Sequence, residues 1–286
     1  MLRKLALITS RSNNGLYQFQ TLYCSLYGAA SPVTTNASKH KYELQPVHIE
    51  EVVKLQPKLV SISTDFWQRT HETFINHGLE TSGFLQVISG NPALLTRPPQ
   101  KIIHSFEIWR SCQFGEKHLH LMLVKYPEFF DVSNEHQLLT HIGFLRSLVG
   151  TTKNVWKLIM NSPDLIEQSE DKIEEKFDYI NQRMRIEVPE IVKSAALSKS
   201  LETIGCRHVF LERLALFKPR PLKADPDVPN KNHRLYQICD TSDKTFATKV
   251  CHVRLVEYEA FQELYNSELA RKHHNDEDSD VSSDDD

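Results

Sequence analysis

Val155-Trp156-Lys157-Leu158-Ile159-Met160-Asn161-Ser162-Pro163-Asp164-Leu165-Ile166 decides the fold of this 286-residue chain. Val155, Leu158 and Ile159 stand at i, i+3 and i+4, the spacing that puts side chains on one stripe of a helix. Pro163 ends that helix, because proline cannot continue a helix interior and pushes the residue before it toward extended geometry. An apolar pair, Leu165-Ile166, follows. The same outline recurs upstream: Ile49, Val52 and Val53 lead to Gln56-Pro57-Lys58-Leu59-Val60, Phe84, Val87 and Ile88 to Asn91-Pro92-Ala93-Leu94-Leu95, and Leu119, Met122 and Leu123 to Tyr126-Pro127-Glu128-Phe129-Phe130.

Successive prolines lie 35, 35 and 36 residues apart. A fixed period of this length marks a repeat array, in which each small unit buries its apolar face only against its neighbours. Between the proline turns a second helix is legible as Ile102, Phe106, Trp109, then Leu138, Ile142, Leu145, Leu148, then Ile173, Phe177, Ile180, Met184. Gly115 and Gly150 close two of these helices, with Gly78 in the related place earlier, as glycine suits a left-handed helix end. The unit is helix, glycine turn, helix, proline turn. Because no run alternates as a strand does, the expected class is all-α, a solenoid of tandem helix-turn-helix repeats with a concave binding face. After Pro163 the beat breaks: Pro189 arrives early, and the turn expected next falls at Ser194.

Composition is ordinary for a globular chain, 40% hydrophobic and 25% charged. No stretch approaches the roughly 18 to 20 apolar residues that cross a bilayer, so no membrane role is expected. Cys24, Cys112, Cys206, Cys239 and Cys251 are odd in number and widely spaced, which argues against a disulfide framework or a zinc knuckle. No metal and no cofactor is expected.

The net charge of -3 hides segregation. Residues 1–42 hold no acid but carry Arg3, Lys4, Arg11, Lys39 and Lys41, the composition of a mitochondrial transit peptide. Residues 43–215 read as the repeat solenoid, 216–272 as a capping and partner-docking segment, and 273–286 as a self-repelling, unfolded acidic tail. Residues 183–254 carry 14 Lys or Arg against 8 Asp or Glu, enough to build a basic face. Candidate phosphate contacts are Arg146, Lys153 and Lys157, placed beside the third proline turn, with Arg183, Arg185, Lys193, Lys199, Arg207 and Arg213. Against this stands the plainer reading that solvated helices carry such charges anyway.

Catalysis finds little support. The run Asp164, Glu167, Glu170, Asp171, Glu174, Glu175 and Asp178 is better explained by a helix N-terminus, with Lys172 and Lys176 as partners at helical spacing. His118 and His120 lie two apart on a helix and do not face one another. Gly150-Thr151-Thr152-Lys153 lacks the glycine and the residue order of a phosphate loop.

A proline-marked two-helix repeat behind such a leader resembles the mitochondrial transcription termination factor (mTERF) family. The resemblance sharpens at Ile186-Glu187-Val188-Pro189-Glu190-Ile191-Val192-Lys193-Ser194, at Arg207-His208-Val209-Phe210-Leu211-Glu212-Arg213-Leu214, at Val228-Pro229-Asn230 and at Glu257-Tyr258-Glu259-Ala260-Phe261-Gln262-Glu263-Leu264. One departure is Ala215, where the family usually has glycine. These blocks are similar to the branch whose members pair with a mitochondrial RNA cytosine methyltransferase of the Nol/Nop/Sun group. The resemblance implies a left-handed half-solenoid in the mitochondrial matrix, not itself an enzyme. It would bind ribosomal RNA, form a heterodimer with that methyltransferase and bring it to the large ribosomal subunit. Leu211, Leu214, Val253, Leu255, Tyr258, Phe261 and Leu264 are then the candidate partner contacts, with a plain capping element as the alternative. Two other functions stay open: double-stranded DNA binding in mitochondrial transcription, and a protein-only scaffold.

Overall fold

The computed structural model describes residues 43–221 and 230–280, the stretch from residue 272 as helix backbone only. The expected leader, Cys24, Val228-Pro229 and residues 281–286 lie outside the described residues. Among the described residues there are thirteen α-helices and no strand. They are α1 (Pro46–Leu55), α2 (Thr64–Asn76), α3 (Thr81–Gly90), α4 (Pro99–Ser111), α5 (Glu116–Lys125), α6 (Glu135–Val149), α7 (Thr152–Asn161), α8 (Glu170–Asp178), α9 (Val188–Ile191), α10 (Leu201–Arg213), α11 (Leu235–Cys239), α12 (Asp243–Thr245) and α13 (Leu255–Asp280).

Each proline opens a short 3-10 turn: Pro57–Ser61, Pro92–Leu95, Pro127–Asp131 and Pro163–Ile166. The missing N–H of proline costs nothing at that first position. A fifth 3-10 turn, Ala196–Ser198, follows Ser194 without a proline. Helices α2, α4, α6 and α8 pack side by side in one layer, and α1, α3 and α5 in the other. Trp156 of α7 joins the second layer by donating to the His118 carbonyl at 3.1 Å.

The chain reverses between layers through left-handed backbone at Gly78 (φ 85°), Gly115 (φ 85°) and Gly150 (φ 83°). In later units Arg185 and Ala215 hold the same region at φ 55°. Ala215 therefore occupies a backbone position that glycine fits without strain. The extra residue in the 36-residue interval sits between the third proline turn and α6: α4 begins seven residues after Pro92 and α6 eight after Pro127, whereas the starts of α4 and α5 and those of α6 and α7 are both 17 residues apart.

Aromatic rings knit successive units into one core. Phe74 lies 5.4 Å from Phe84, 5.5 Å from Phe106 and 5.3 Å from Phe130. Buried polar groups follow the same beat. Thr70, Ser105 and His141, each on a first-layer helix, bond the carbonyls of Leu95, Phe130 and Leu165 in the proline turn of their own unit. Lys176 does the same for Leu197, and also bonds Gln168. The expectation that Lys176 pairs with surface carboxylates is thereby corrected: it is buried, and burial lowers its pKa. A paired backbone carbonyl avoids the roughly 1–3 kcal/mol penalty of a buried unsatisfied group.

Candidate nucleic-acid and partner interfaces

Antiparallel helix pairs give the array two edges. One carries the left-handed corners where first-layer helices end and second-layer helices begin; the other carries the proline turns. Arg146 is exposed in the last turn of α6, and Lys153 is exposed in the first turn of α7 with half-buried Lys157 one turn on. These three flank Gly150, not the third proline turn, because residues on either side of a helix reversal share an edge. None of them makes an ion pair or side-chain hydrogen bond among the described residues. Arg146 complements the helix C-terminus, but Lys153 opposes the helix dipole, so it is placed at a cost to α7.

Arg183 ends the turn after α8, its guanidinium 5.1 Å from the Tyr179 ring centre, and Arg185 donates to the Arg220 carbonyl at 3.0 Å. Arg213 ends α10, pairs with Glu268 at 2.9 Å and lies 5.0 Å from the Phe261 ring centre. All three belong to the corner edge. Lys193 and Lys199 follow α9 on the proline-turn edge, so the candidate cations divide between two margins. Lys117, in the first turn of α5, stands one repeat before Lys153 at the corner edge. The repeat register of the sequence was the signal for it.

Arg207 is withdrawn from the phosphate set. It is 4% exposed, donates to the Ile238 carbonyl at 2.6 Å and pairs with Asp243 at 2.6 Å. Beside it, buried His208 meets the Tyr179 hydroxyl at 3.0 Å; burial first, and Arg183 second, lower its pKa to about 4. This part of α10 is core.

The docking segment is corrected similarly. Leu211, Tyr258 and Phe261 are buried: the Phe210 ring packs at a tilt against both Tyr258 (5.1 Å) and Phe261 (4.8 Å), sealing α13 onto α10. Val253 and Leu255 are half-buried against the same core. Leu214 and Leu264 remain exposed, at 36% and 48%, as does Val256 (69%) in the same apolar stretch, while sequence reasoning passed over exposed Tyr236 (49%). Val256, Ala260 and Leu264 stand at i, i+4 and i+8, one exposed apolar stripe on the outer face of α13. The tail expected to unfold from His273 continues as helix to Asp280. A helix already nucleated and anchored by packing propagates at little cost per residue.

Among the described residues no cluster of three His, Cys, Asp or Glu side chains is placed to hold a metal ion, and no helix is long and apolar enough to cross a membrane. His120 and His118 bond separate carbonyls, those of His77 (3.0 Å) and Phe114 (3.1 Å). Cys112, Cys206, Cys239 and Cys251 are buried free thiols.

Residues 76–224 match the mTERF family. A mouse protein, "Transcription termination factor 4, mitochondrial", is 24% identical over 192 residues, a stretch covering 67% of this chain and 55% of the mouse protein. The chain thus spans little more than half the length of that relative. With its proline-turned helix pairs and the family match over half its length, the chain belongs to the mTERF family.

Proposed function

We propose that this chain is a mitochondrial matrix adaptor that performs no chemistry itself, binds ribosomal RNA and recruits an RNA cytosine methyltransferase to the large ribosomal subunit. The observation that carries the RNA half is the gathering of Arg146, Lys153, Lys157, Arg183, Arg185 and Arg213 on the corner edge, the first three without internal partners. Lys and Arg in such a row neutralise successive phosphates and release counterions, which gives affinity without base readout. The partner half rests on the outer stripe of α13, Val256, Ala260 and Leu264, whose neighbours on the inner face are already occupied by α10. Mitochondrial location is supported by the name of the mouse relative.

Crosslinking the tagged protein in intact mitochondria and sequencing the attached nucleic acid tests the reading. Ribosomal RNA is the expected product. Co-purification of the methyltransferase is expected to fail for V256E/L264E, which leaves the buried face of α13 unchanged; retained binding would place the partner elsewhere. A second reading, a double-stranded DNA-binding factor acting in mitochondrial transcription, is favoured by the transcription-termination name of the mouse relative, and recovery of only a discrete DNA site would establish it over the first.

A further inference from the structure

We propose that Tyr236, with Lys193 and Lys199 beside it, is a stacking platform for an unpaired RNA base, an inference that rests on the RNA-binding reading of the chain and extends it to the proline-turn edge. Among the described residues only two aromatic side chains are exposed, Phe66 at 37% and Tyr236 at 49%. The Arg69 guanidinium covers the first, 4.7 Å from the Phe66 ring centre. Tyr236 has no ring or cation laid on it among the described residues. Its place is imposed by the register of α11: Leu235, Ile238 and Cys239 are buried, so Tyr236 is turned outward. A ring left in water keeps a flat apolar face for a ligand of the same shape.

Two hydrogen bonds fix what stands next to that ring. The Leu235 N–H donates to Glu190 Oε1 at 2.6 Å, and the Ala195 N–H donates to Asp240 Oδ1 at 2.9 Å. Helix α11 therefore runs beside residues 190–195, with Tyr236 and Asp240 at i and i+4 on one face and exposed Lys193 midway along the facing segment. The Ala196–Ser198 turn also packs on α11, and half-buried Lys199 follows it directly. The nearby acids are engaged: Asp240 holds the Ala195 N–H, and Glu190 pairs with Arg234 at 3.3 Å besides holding Leu235. Lys193 and Lys199 make no ion pair or side-chain hydrogen bond among the described residues.

Residues 186–200 and 230–243 expose no large apolar side chain other than Tyr236. That isolation selects the ligand. A protein partner needs an apolar centre built from several side chains, whereas a base needs one ring, and its flanking phosphates need free cations. A base inside a duplex is covered on both faces by its neighbours, so the platform takes unpaired RNA.

The test compares the full chain with its Y236A, Y236F and K193Q/K199Q variants by anisotropy, using a fluorescein-labelled unstructured RNA octamer and a labelled RNA duplex across a salt series. Y236A is expected to bind the octamer about tenfold more weakly and the duplex as before. Y236F should keep the wild-type affinity, because stacking uses the ring and not the hydroxyl. K193Q/K199Q should lower the slope of log K against log salt for the octamer by about 1.4, at about 0.7 per phosphate contact. Thermal melts report folding. If Y236A melts early, photocrosslinking of the wild-type chain to an octamer carrying iodouridine decides, with the adduct expected on Tyr236. Unchanged octamer binding by Y236A, or an adduct confined to other residues, would overturn the inference, while duplex binding would leave the RNA reading standing. Loss of the methyltransferase from Y236A with octamer binding intact would overturn it too, making the ring a protein anchor. Failure of the wild-type chain to bind either probe would remove the RNA reading, and the inference with it.

Discussion

The two edges of the array are built from the same repeat yet handle charge differently. On the proline-turn edge three cations are engaged within the fold by backbone or acid: Arg97 pairs with Asp131, Lys125 donates to the Met160 carbonyl at 2.8 Å and Lys176 bonds Leu197. Lys58, Lys101, Lys172, Lys193 and Lys199 on the same margin make no ion pair or side-chain hydrogen bond among the described residues. On the corner edge Arg146, Lys153 and Lys157 have no such partner, although Arg110 there pairs with Glu116 at 2.8 Å. A proline turn leaves carbonyls that need donors, so a long cationic side chain nearby is absorbed by the backbone. A left-handed corner closes its own carbonyl, as Gly150 N–H does for Arg146 at 2.8 Å, and leaves the side chain available. Basic residues with equal sequence credentials thus become structural where a turn carbonyl lies within reach, as for Lys125 and Lys176, and stay available where none does, as for Arg146, Lys153 and Lys157.

The contrast is sharpest for Arg207→Met. Removing one partner of a buried, hydrogen-bonded charge pair is expected to lower stability by about 3–5 kcal/mol in urea titration. The RNA salt dependence of the folded fraction should stay unchanged; a reduced slope would return Arg207 to the binding face. R146Q/K153Q/K157Q should do the reverse. Each lost phosphate contact lowers the slope of log K against log salt by about one, and the triple variant should bind RNA about a hundredfold more weakly at low salt with an unaltered Tm.

Smaller changes probe the backbone of each edge. A methyl group at Gly90 would come within 2.7 Å of Cγ of Pro127, a ring that cannot swing aside. Gly90→Ala is expected to cost about 1–3 kcal/mol through overpacking between neighbouring units, read from the denaturation midpoint. At the other edge Ala215→Gly relieves a left-handed alanine and should stabilise by about 0.5–1 kcal/mol, a gain reduced by the greater freedom of glycine in the unfolded chain. A loss there would mean that its methyl group does more in packing than it costs in strain.

Much of the fold was legible because its punctuation is chemical: four prolines end helices and three glycines turn corners. The site was less so, and α10 shows why. Arg207 follows Ile204 by three and precedes Leu211 by four, which places a cation on the apolar stripe. Net positive charge along the segment drew it toward the surface; its register pointed inward. Tyr258, Phe261 and Tyr265 share an inner face in the same way, while Val256 and Leu264 lie opposite, so counting apolar residues could not separate cap from docking surface. Partners across the fold, such as Glu268 for Arg213, follow from a helix crossing that no local spacing encodes.

The buried donors that answer the proline turns also act as a gauge of how the units are cut. Thr70 and Ser105 reach their carbonyls with hydroxyls one atom from Cβ, His141 with a ring nitrogen and Lys176 with the full length of its side chain. Donor reach grows along the array, so the space between first-layer helix and turn differs from unit to unit. A threonine at 176 would leave the Leu197 carbonyl unanswered, and a lysine at 70 would find no room. The repeats share a rhythm without being interchangeable parts: exchanging one unit for another would leave either a void or a clash at its centre.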